Sequence, residues 1–292
     1  MLNEERKADM LAWCRLCCEK ITLPTDAEAA LFDYLENHAE EAAAYLDANR
    51  EMQDPEGMKK EIIERDGALA YVELLAFTIL RAQETLALYR SRGYEESVFW
   101  DGMQDIAIWC GNCREKTGEP GLEEFFWESF FLKAEIVTLG RLQFQVCDLH
   151  KPAWTSDEEL ATVGLKNGDP VLNVHIPQGR PLKKEECLRS FELAKAFFKD
   201  YDYKMFVCET WLIYPRNHEY MRPGANILDF ETLFEVISTC DNPHLAVERI
   251  WNYWNEFPAD VHDYEENTSL QRAAKQYLLS GGKLGEGFGV RR

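Results

Sequence analysis

No stretch of this 292-residue chain approaches the ~18–20 consecutive apolar residues that a membrane-spanning helix needs, so a spanning segment is excluded. The N-terminal MLNEERKADM is charged and has no apolar centre, so it does not read as a secretory signal. Positive charge is scarce: 32 Lys and Arg against 52 Asp and Glu give a formal charge of −20. Such a surface repels nucleic acid and anionic membrane over most of its area, and any anionic cofactor needs a local basic patch. There is no internal repeat and no low-complexity segment. The nine cysteines, odd in number and scattered, do not suggest a disulfide scaffold. A reducing cytoplasm is the expected location.

What is present is core-forming. Hydrophobic residues make up 46% and aromatics 12%, which argues for a substantial packed interior and against global disorder. The length admits two domains or one large one. The first ~140 residues read as helical. Thr25-Asp26-Ala27-Glu28 has the form of a capping box, and Leu31, Phe32, Leu35, Ala39, Ala42, Ala43 and Leu46 follow as a helical stripe. Asp54-Pro55 opens a shorter helix that Gly67 ends. The most apolar helix spans Leu69 to Tyr89. Helices over Glu95 to Cys113 and Gly121 to Val137 complete a bundle rich in Trp and Phe.

At Leu139 the period changes to the alternation of a half-buried strand, through Val146. Asn167-Gly168-Asp169 marks a turn, and Val171 to Ile176 is the next strand. A helix from about Lys184 to Tyr201 puts Cys187, Leu188, Phe191, Ala194 and Phe198 on one face. Met205 to Ile213 is a further strand, and Ile227 to Ile237 contains a candidate one. A helix over His244 to Phe257 follows. Thr268-Ser269-Leu270-Gln271 caps another that ends near Gly281, and the Gly-rich tail Leu284 to Val290 is a last candidate strand. The fold class is α+β: a helical domain over residues 1–138 packed on a mixed-sheet domain over residues 139–292.

The strand–turn–helix–strand unit from Val171 to Pro215 places a helix N-terminus, with its unpaired backbone N–H groups, beside a strand end. Phosphate-bearing cofactors favour that position. The turn Gln178-Gly179-Arg180-Pro181-Leu182-Lys183-Lys184 is the basic patch beside it. Gly179 permits close backbone approach and Arg180 offers a planar donor fork to phosphate; a surface turn that needs a glycine is the plainer reading.

The C-terminal half resembles the GNAT-like C-terminal domain of a group of bacterial acyltransferases. The matching pieces are Leu139-Gly-Arg-Leu-Gln-Phe144, Val174-His-Ile-Pro177 with Gly179 and Pro181-Leu182, and the helix carrying Cys187 and Ser190-Phe191. Val207-Cys-Glu-Thr-Trp-Leu212, Glu219-Tyr220, Leu270-Gln-Arg272 and Gly281-Gly282 match as well. In that group an all-helical domain precedes the acyltransferase-like one. The resemblance implies transfer of an acyl group from acetyl-CoA or another acyl-CoA to an amine of a small molecule or protein. It implies two parallel strands that splay around the pantetheine, with the pyrophosphate on the loop and helix after the first. By order these are Val171–Ile176, Pro177–Leu182, Lys184–Tyr201 and Met205–Ile213. Gln178, Gly179, Arg180, Lys183 and Lys184 are then the cofactor-binding residues. The usual loop of the family reads Arg/Gln-x-x-Gly-x-Ala/Gly. This one departs from it: Pro181 removes an N–H donor, and Glu185 and Glu186 already complement the helix dipole.

Tyr220 falls where the family often has a tyrosine acid for the departing thiolate, although a packed aromatic reads as well. Glu209 is a candidate base on the second strand, and His175, with an ordinary pKa near the working range, is an alternative. Each also reads as a structural residue, Glu209 as a solvated strand carboxylate and His175 as a hydrogen-bonded core histidine. Trp211, Trp251 and Trp254 read as core or cleft wall. Two further readings stay open. One is a non-catalytic GNAT-like module that binds a ligand or partner. The other centres on the Cys-x-x-Cys spacings Cys14–Cys17, with Cys18, and Cys110–Cys113, whose four thiolates would suit zinc or redox chemistry. Buried packing is the simplest account of those cysteines, and Cys208 has no evident base partner.

Overall fold

A computed structural model describes residues 4–254 and 256–292. Residues 1–3 of the charged N-terminal stretch, and Asn255 within the helix expected over 244–257, lie outside the described residues. The chain divides into two compact units, Met1–Thr138 and Leu139–Arg292.

The first unit carries α1 (Glu4–Ile21), α2 (Thr25–Ala48), α3 (Pro55–Asp66), α4 (Ala70–Ser91), α5 (Glu96–Thr117) and α6 (Phe125–Leu132). Helix α4 is buried around most of its circumference, with Leu74, Leu75, Ala76, Phe77, Ile79 and Leu80 all inside, so it forms the centre of the bundle. The Trp13 indole N–H on α1 donates to the Ile79 carbonyl on α4 at 2.7 Å and ties the two helices where water is excluded. Asp54 caps α3 by accepting from the Gly57 N–H, with Pro55 in the first turn.

Two expectations fail here for local reasons. Thr25 does not cap α2. Pro24, at φ −52°, is itself the cap residue, the helix begins at Thr25, and the Glu28 N–H bonds the Pro24 carbonyl at 2.9 Å. The helix expected over Gly121 to Val137 is confined to α6. Gly121 sits at φ +130° against the Tyr71 backbone, and Ala134 turns the chain at φ +54°. Ile136, Val137 and Thr138 then enter a strand, which suits their β-branched side chains.

The strands are β1 (Ile136–Leu139), β2 (Leu142–Asp148), β3 (Pro170–His175), β4 (Phe206–Thr210), β5 (Glu235–Cys240) and β6 (Glu286–Arg291). They form one sheet in the order β1-β2-β3-β4-β6-β5. The single strand expected from Leu139 is a hairpin, because Gly140 at φ +75° reverses the chain between β1 and β2. Strand β3 pairs antiparallel with β2 and parallel with β4, and α8 (Lys184–Phe197) makes the crossover. Strand β6 runs antiparallel between β4 and β5.

Helices α7 (Asp157–Thr162), α9 (Asn226–Glu231), α10 (His244–Trp251) and α11 (Ser269–Leu279) complete the unit. Strand β4 stops at Thr210 and a 3-10 turn takes over at Trp211. Residues 227–237 hold α9 before the strand, and α10 ends where Asn252 adopts φ +56°. The capping box at Thr268 forms as expected: its hydroxyl accepts from the Gln271 N–H and the Gln271 side chain accepts from the Thr268 N–H.

Side-chain alternation sends Phe144 and Phe206 to the sheet face covered by α8, where Phe191 meets them edge-on at 5.8 and 5.0 Å between ring centres. Truncating Phe191 would cost about 3–5 kcal/mol. The opposite face carries Val171, Val207, Phe288 and Val290, packed with Leu149, Leu160, Val163 and Leu165. Among the described residues no helix is long and apolar enough to cross a membrane.

Candidate active site

Strands β3 and β4 start as a parallel pair and then part. Among the described residues their register is confined to Leu172 opposite Phe206 and Asn173 opposite Val207. At the next step the Cys208 thiol, instead of a backbone N–H, reaches the Val174 carbonyl at 3.4 Å. The ladder is therefore broken toward the C-terminal ends of both strands, and that is where His175 and Glu209 stand. Each lies two residues beyond the last matched pair, so they occupy the same level and the same face on either side of the opening.

The loop after β3 has the chemistry of an anion site. Gly179 holds φ +101° with open space around it, a conformation that a side chain would strain. The N-cap residue of α8, Lys183, makes no side-chain cap hydrogen bond, so among the described residues the N–H groups of the first turn are not satisfied by their cap residue. Gln178, Arg180 and Lys183 are exposed along this loop. Arg180 and Lys183 converge on Glu186 at 3.3 and 3.5 Å, and the Lys184 ammonium donates to Thr232 at 2.7 Å. The five residues expected to hold the cofactor thus share one loop and the first residue of α8. Glu186 offsets part of the loop's positive charge and is a carboxylate that an arriving pyrophosphate would have to replace as partner. With exposed cations, uncapped amides and a glycine that leaves open space, the residues present fit a pyrophosphate.

The three candidate catalytic residues have different surroundings. His175 Nε2 lies 3.0 Å from the Gln145 amide oxygen on β2, which as placed assigns the ring proton to Nε2. Burial lowers its pKa to about 4, so the imidazole is neutral at physiological pH. Glu209 reaches solvent, yet the protein mass around it raises its carboxyl above the ordinary range. Tyr220 belongs to another cluster. Its hydroxyl donates to Asn217 Oδ1 at 2.9 Å, and its ring stacks on Tyr277 with centres 5.0 Å apart. Burial first, then neighbouring phenols, raise its pKa, so it holds its proton at neutral pH. Asn217 is fixed by donating to the Trp211 carbonyl at 2.8 Å. His175 and Glu209 are brought together by strand register, whereas Tyr220 follows the turn after β4.

Three residues with no assigned role in the sequence reading matter here. Glu286 on β6 lies two residues before Phe288, which is opposite Glu209, so both carboxylates share one sheet face. Glu286 is only 8% exposed, and burial, then the Glu209 charge, raises its carboxyl to about 7. The signal was a lone carboxylate in the glycine-rich tail. Arg141, in the β1–β2 turn, donates to the carbonyls of Arg180 and Pro181. Ser190 on α8 accepts from the Arg141 backbone N–H at 2.8 Å.

The cysteines of the two Cys-x-x-Cys spacings belong to the first unit. Cys14, Cys17 and Cys18 on α1, and Cys110 and Cys113 on α5, are buried. Burial pushes every one of these thiols up, Cys18 and Cys113 to about 11 and Cys14 to about 12, which works against thiolate reactivity. Among the described residues no group of three or more His, Cys, Asp or Glu side chains is disposed to hold a metal ion.

The family model described as "GNAT-like C-terminal domain" matches residues 136–291. The chain belongs to this GNAT-like family. A second model, "N-acyltransferase N-terminal domain", matches residues 14–133, within the helical unit. No curated protein matches the chain. Among solved structures, an acyltransferase variant in complex with octanoyl-CoA superposes with a TM-score of 0.74 at 18% identity, over 96% of this chain and 87% of that one. An acyltransferase in complex with decanoyl-CoA gives a TM-score of 0.72 at 19% identity, over 100% and 88%. One in complex with decanoyl-CoA and teicoplanin gives 0.67 at 21%, over 100% and 88%. At these identities the likeness establishes a shared fold across both units of the GNAT-like chain.

Proposed function

We propose that this protein is an acyl-CoA-dependent N-acyltransferase acting on an amine of a small molecule. The observation that carries the reading is the parting of β3 and β4 at Val174, followed at once by an uncapped helix N-terminus and a basic loop. The opening is suited to an extended pantetheine, and the loop to its pyrophosphate through Gln178, Gly179, Arg180, Lys183 and Lys184. A medium-chain donor is favoured over acetyl-CoA, because neighbours of this fold hold octanoyl-CoA and decanoyl-CoA. A small-molecule acceptor is supported by the neighbour that holds teicoplanin. The charge of −20 favours a cationic or neutral acceptor, and the free cysteines suit a reducing, cytoplasmic setting.

In this reading the acceptor ammonium first loses a proton to Glu209 or to the neutral His175. The amine nitrogen attacks the thioester carbonyl, the C–N bond forms and the C–S bond breaks. The thiolate leaves with a proton from Tyr220, the nitrogen's second proton passes through water to restore the Tyr220 phenol, and the base releases the first proton to solvent. The test is release of free CoA from decanoyl-CoA on addition of primary amines, with the acyl product identified by mass. Turnover that depends on both substrates supports the reading; no CoA release with any amine overturns it. A second reading, a GNAT-like module that binds without catalysis, is favoured by one observation: Arg180 and Lys183 already have a partner in Glu186. Saturable acyl-CoA binding without turnover would select it.

A further inference from the structure

Arg141 is 5% exposed as a residue, and its guanidinium makes no ion pair among the described residues. Its side-chain hydrogen bonds go to two consecutive carbonyls of one loop, Arg180 at 2.8 Å and Pro181 at 3.2 Å. A buried cation whose hydrogen bonds go only to neutral carbonyls is costly, and here burial lowers its pKa while the Glu186 charge opposes that shift. Its position is specified from three sides. Gly140 at φ +75° reverses the hairpin, and a side chain there would meet the Ser190 hydroxyl at 2.9 Å. The Arg141 N–H donates to that same hydroxyl, which in turn donates to the Glu186 carbonyl one turn back in α8. The β1–β2 turn is therefore clamped to the first turns of α8, and the arginine side chain extends beneath the loop that precedes the helix.

We propose that Arg141 is the positioning residue of the cosubstrate phosphate site, drawing the Arg180 and Pro181 carbonyls toward the protein and placing a fixed positive charge under the loop. This rests on the acyl-CoA reading and adds to it a residue outside the loop. Carbonyls drawn inward leave the outer side of the loop to N–H groups and cations, the polarity that a pyrophosphate requires. A fixed charge beneath also compensates for Pro181, which has no N–H to offer. The arriving anion adds counter-charge to a guanidinium that otherwise has the Glu186 carboxylate acting on it without an ion pair.

The experiment compares Arg141→Met and Arg141→Lys with the wild-type full chain on two thioesters. One is decanoyl-CoA; the other is decanoyl-N-acetylcysteamine, which carries the same acyl group without nucleotide or pyrophosphate. Thermal melts confirm that each variant folds, and calorimetry with CoA gives a readout independent of turnover. The expected result is a KM for decanoyl-CoA and a Kd for CoA raised about 10-fold or more in Arg141→Met. Arg141→Lys, which keeps the charge and loses the fork, should fall between the two. Rates with the truncated thioester should stay within about twofold, since its missing phosphates cannot report on the loop. Equal losses on both thioesters would reduce Arg141 to a packing role and overturn the inference. So would a folded Arg141→Met that binds CoA as the wild type does. Wild-type protein that binds no CoA would instead overturn the acyltransfer reading and this inference with it.

Discussion

Glu286 and Glu209 stand on one face of two neighbouring strands, Glu209 opposite Phe288 and Glu286 two residues ahead of it. One is buried and the other reaches solvent, so the two carboxyls are driven apart in proton affinity. Burial, with the Glu209 charge second, moves Glu286 from the ordinary 4.5 to about 7.

The folded protein thus holds a proton on Glu286 that the unfolded chain releases above about 4.5. Its contribution to stability is full below that pH and is lost as pH rises through about 7. Glu286→Gln should therefore be more stable than wild type at pH 8 by about 1–2 kcal/mol, discounted for partial solvent access, with the gain vanishing near pH 4.5. Glu209→Gln should give a smaller gain in the same direction. Melting temperature against pH for the three proteins is the check, and parallel curves would contradict it.

Tyr220→Phe separates an acid from a packed ring. The stack on Tyr277 survives the change and only the hydroxyl bond to Asn217 is lost, at about 1 kcal/mol of stability. If the phenol protonates the departing thiolate, kcat with decanoyl-CoA should fall about 10²-fold while KM moves little. A thioester with a more acidic thiol, which leaves without help, should restore much of the rate. An unchanged kcat would return Tyr220 to the core.

Glu128, on α6, is fully buried, and among the described residues neither carboxylate oxygen has a hydrogen-bond partner. Burial, then the charges of Asp105 and Glu124, raises its carboxyl far above the ordinary range. Like Glu286 it costs stability as pH rises above the unfolded value. Glu128→Gln, neutral at every pH, should stabilise the protein at pH 8 by about 2 kcal/mol and leave it nearly unchanged at pH 4. Denaturant unfolding at the two pH values measures the difference. A loss at pH 8 would mean that the ionised group has a partner.

The parts of the fold that were legible in the sequence are those fixed by local chemistry. Asp54-Pro55 and the Thr268 box cap their helices because each cap closes within a few residues. The order β3, loop, α8, β4 could be read because the hydrophobic period switches cleanly between strand and helix. Ile136 and Val137 read as the end of a helix because a short, wholly buried strand has no alternation to separate it from one. Thr25 has the right residue for a cap, but Pro24 takes the position first. In the candidate site, His175 and Glu209 were visible as polar residues on apolar strands. Their shared level across the opening depends on the register of a parallel pair, which one-dimensional spacing does not encode. Arg141 and Glu286 were missed for a related reason. Each becomes informative only through what folds over it, the loop 39 residues downstream for Arg141 and the neighbouring strand for Glu286.

The central claim is that an acyl-CoA binds at the loop between β3 and α8. Calorimetric titration of decanoyl-CoA into the wild-type protein and into Arg180→Ala tests it most directly. The account predicts micromolar binding by the wild type, weakened about 10-fold in the variant through loss of a charge-assisted phosphate contact. No heat of binding and no thermal shift with decanoyl-CoA or CoA would contradict it.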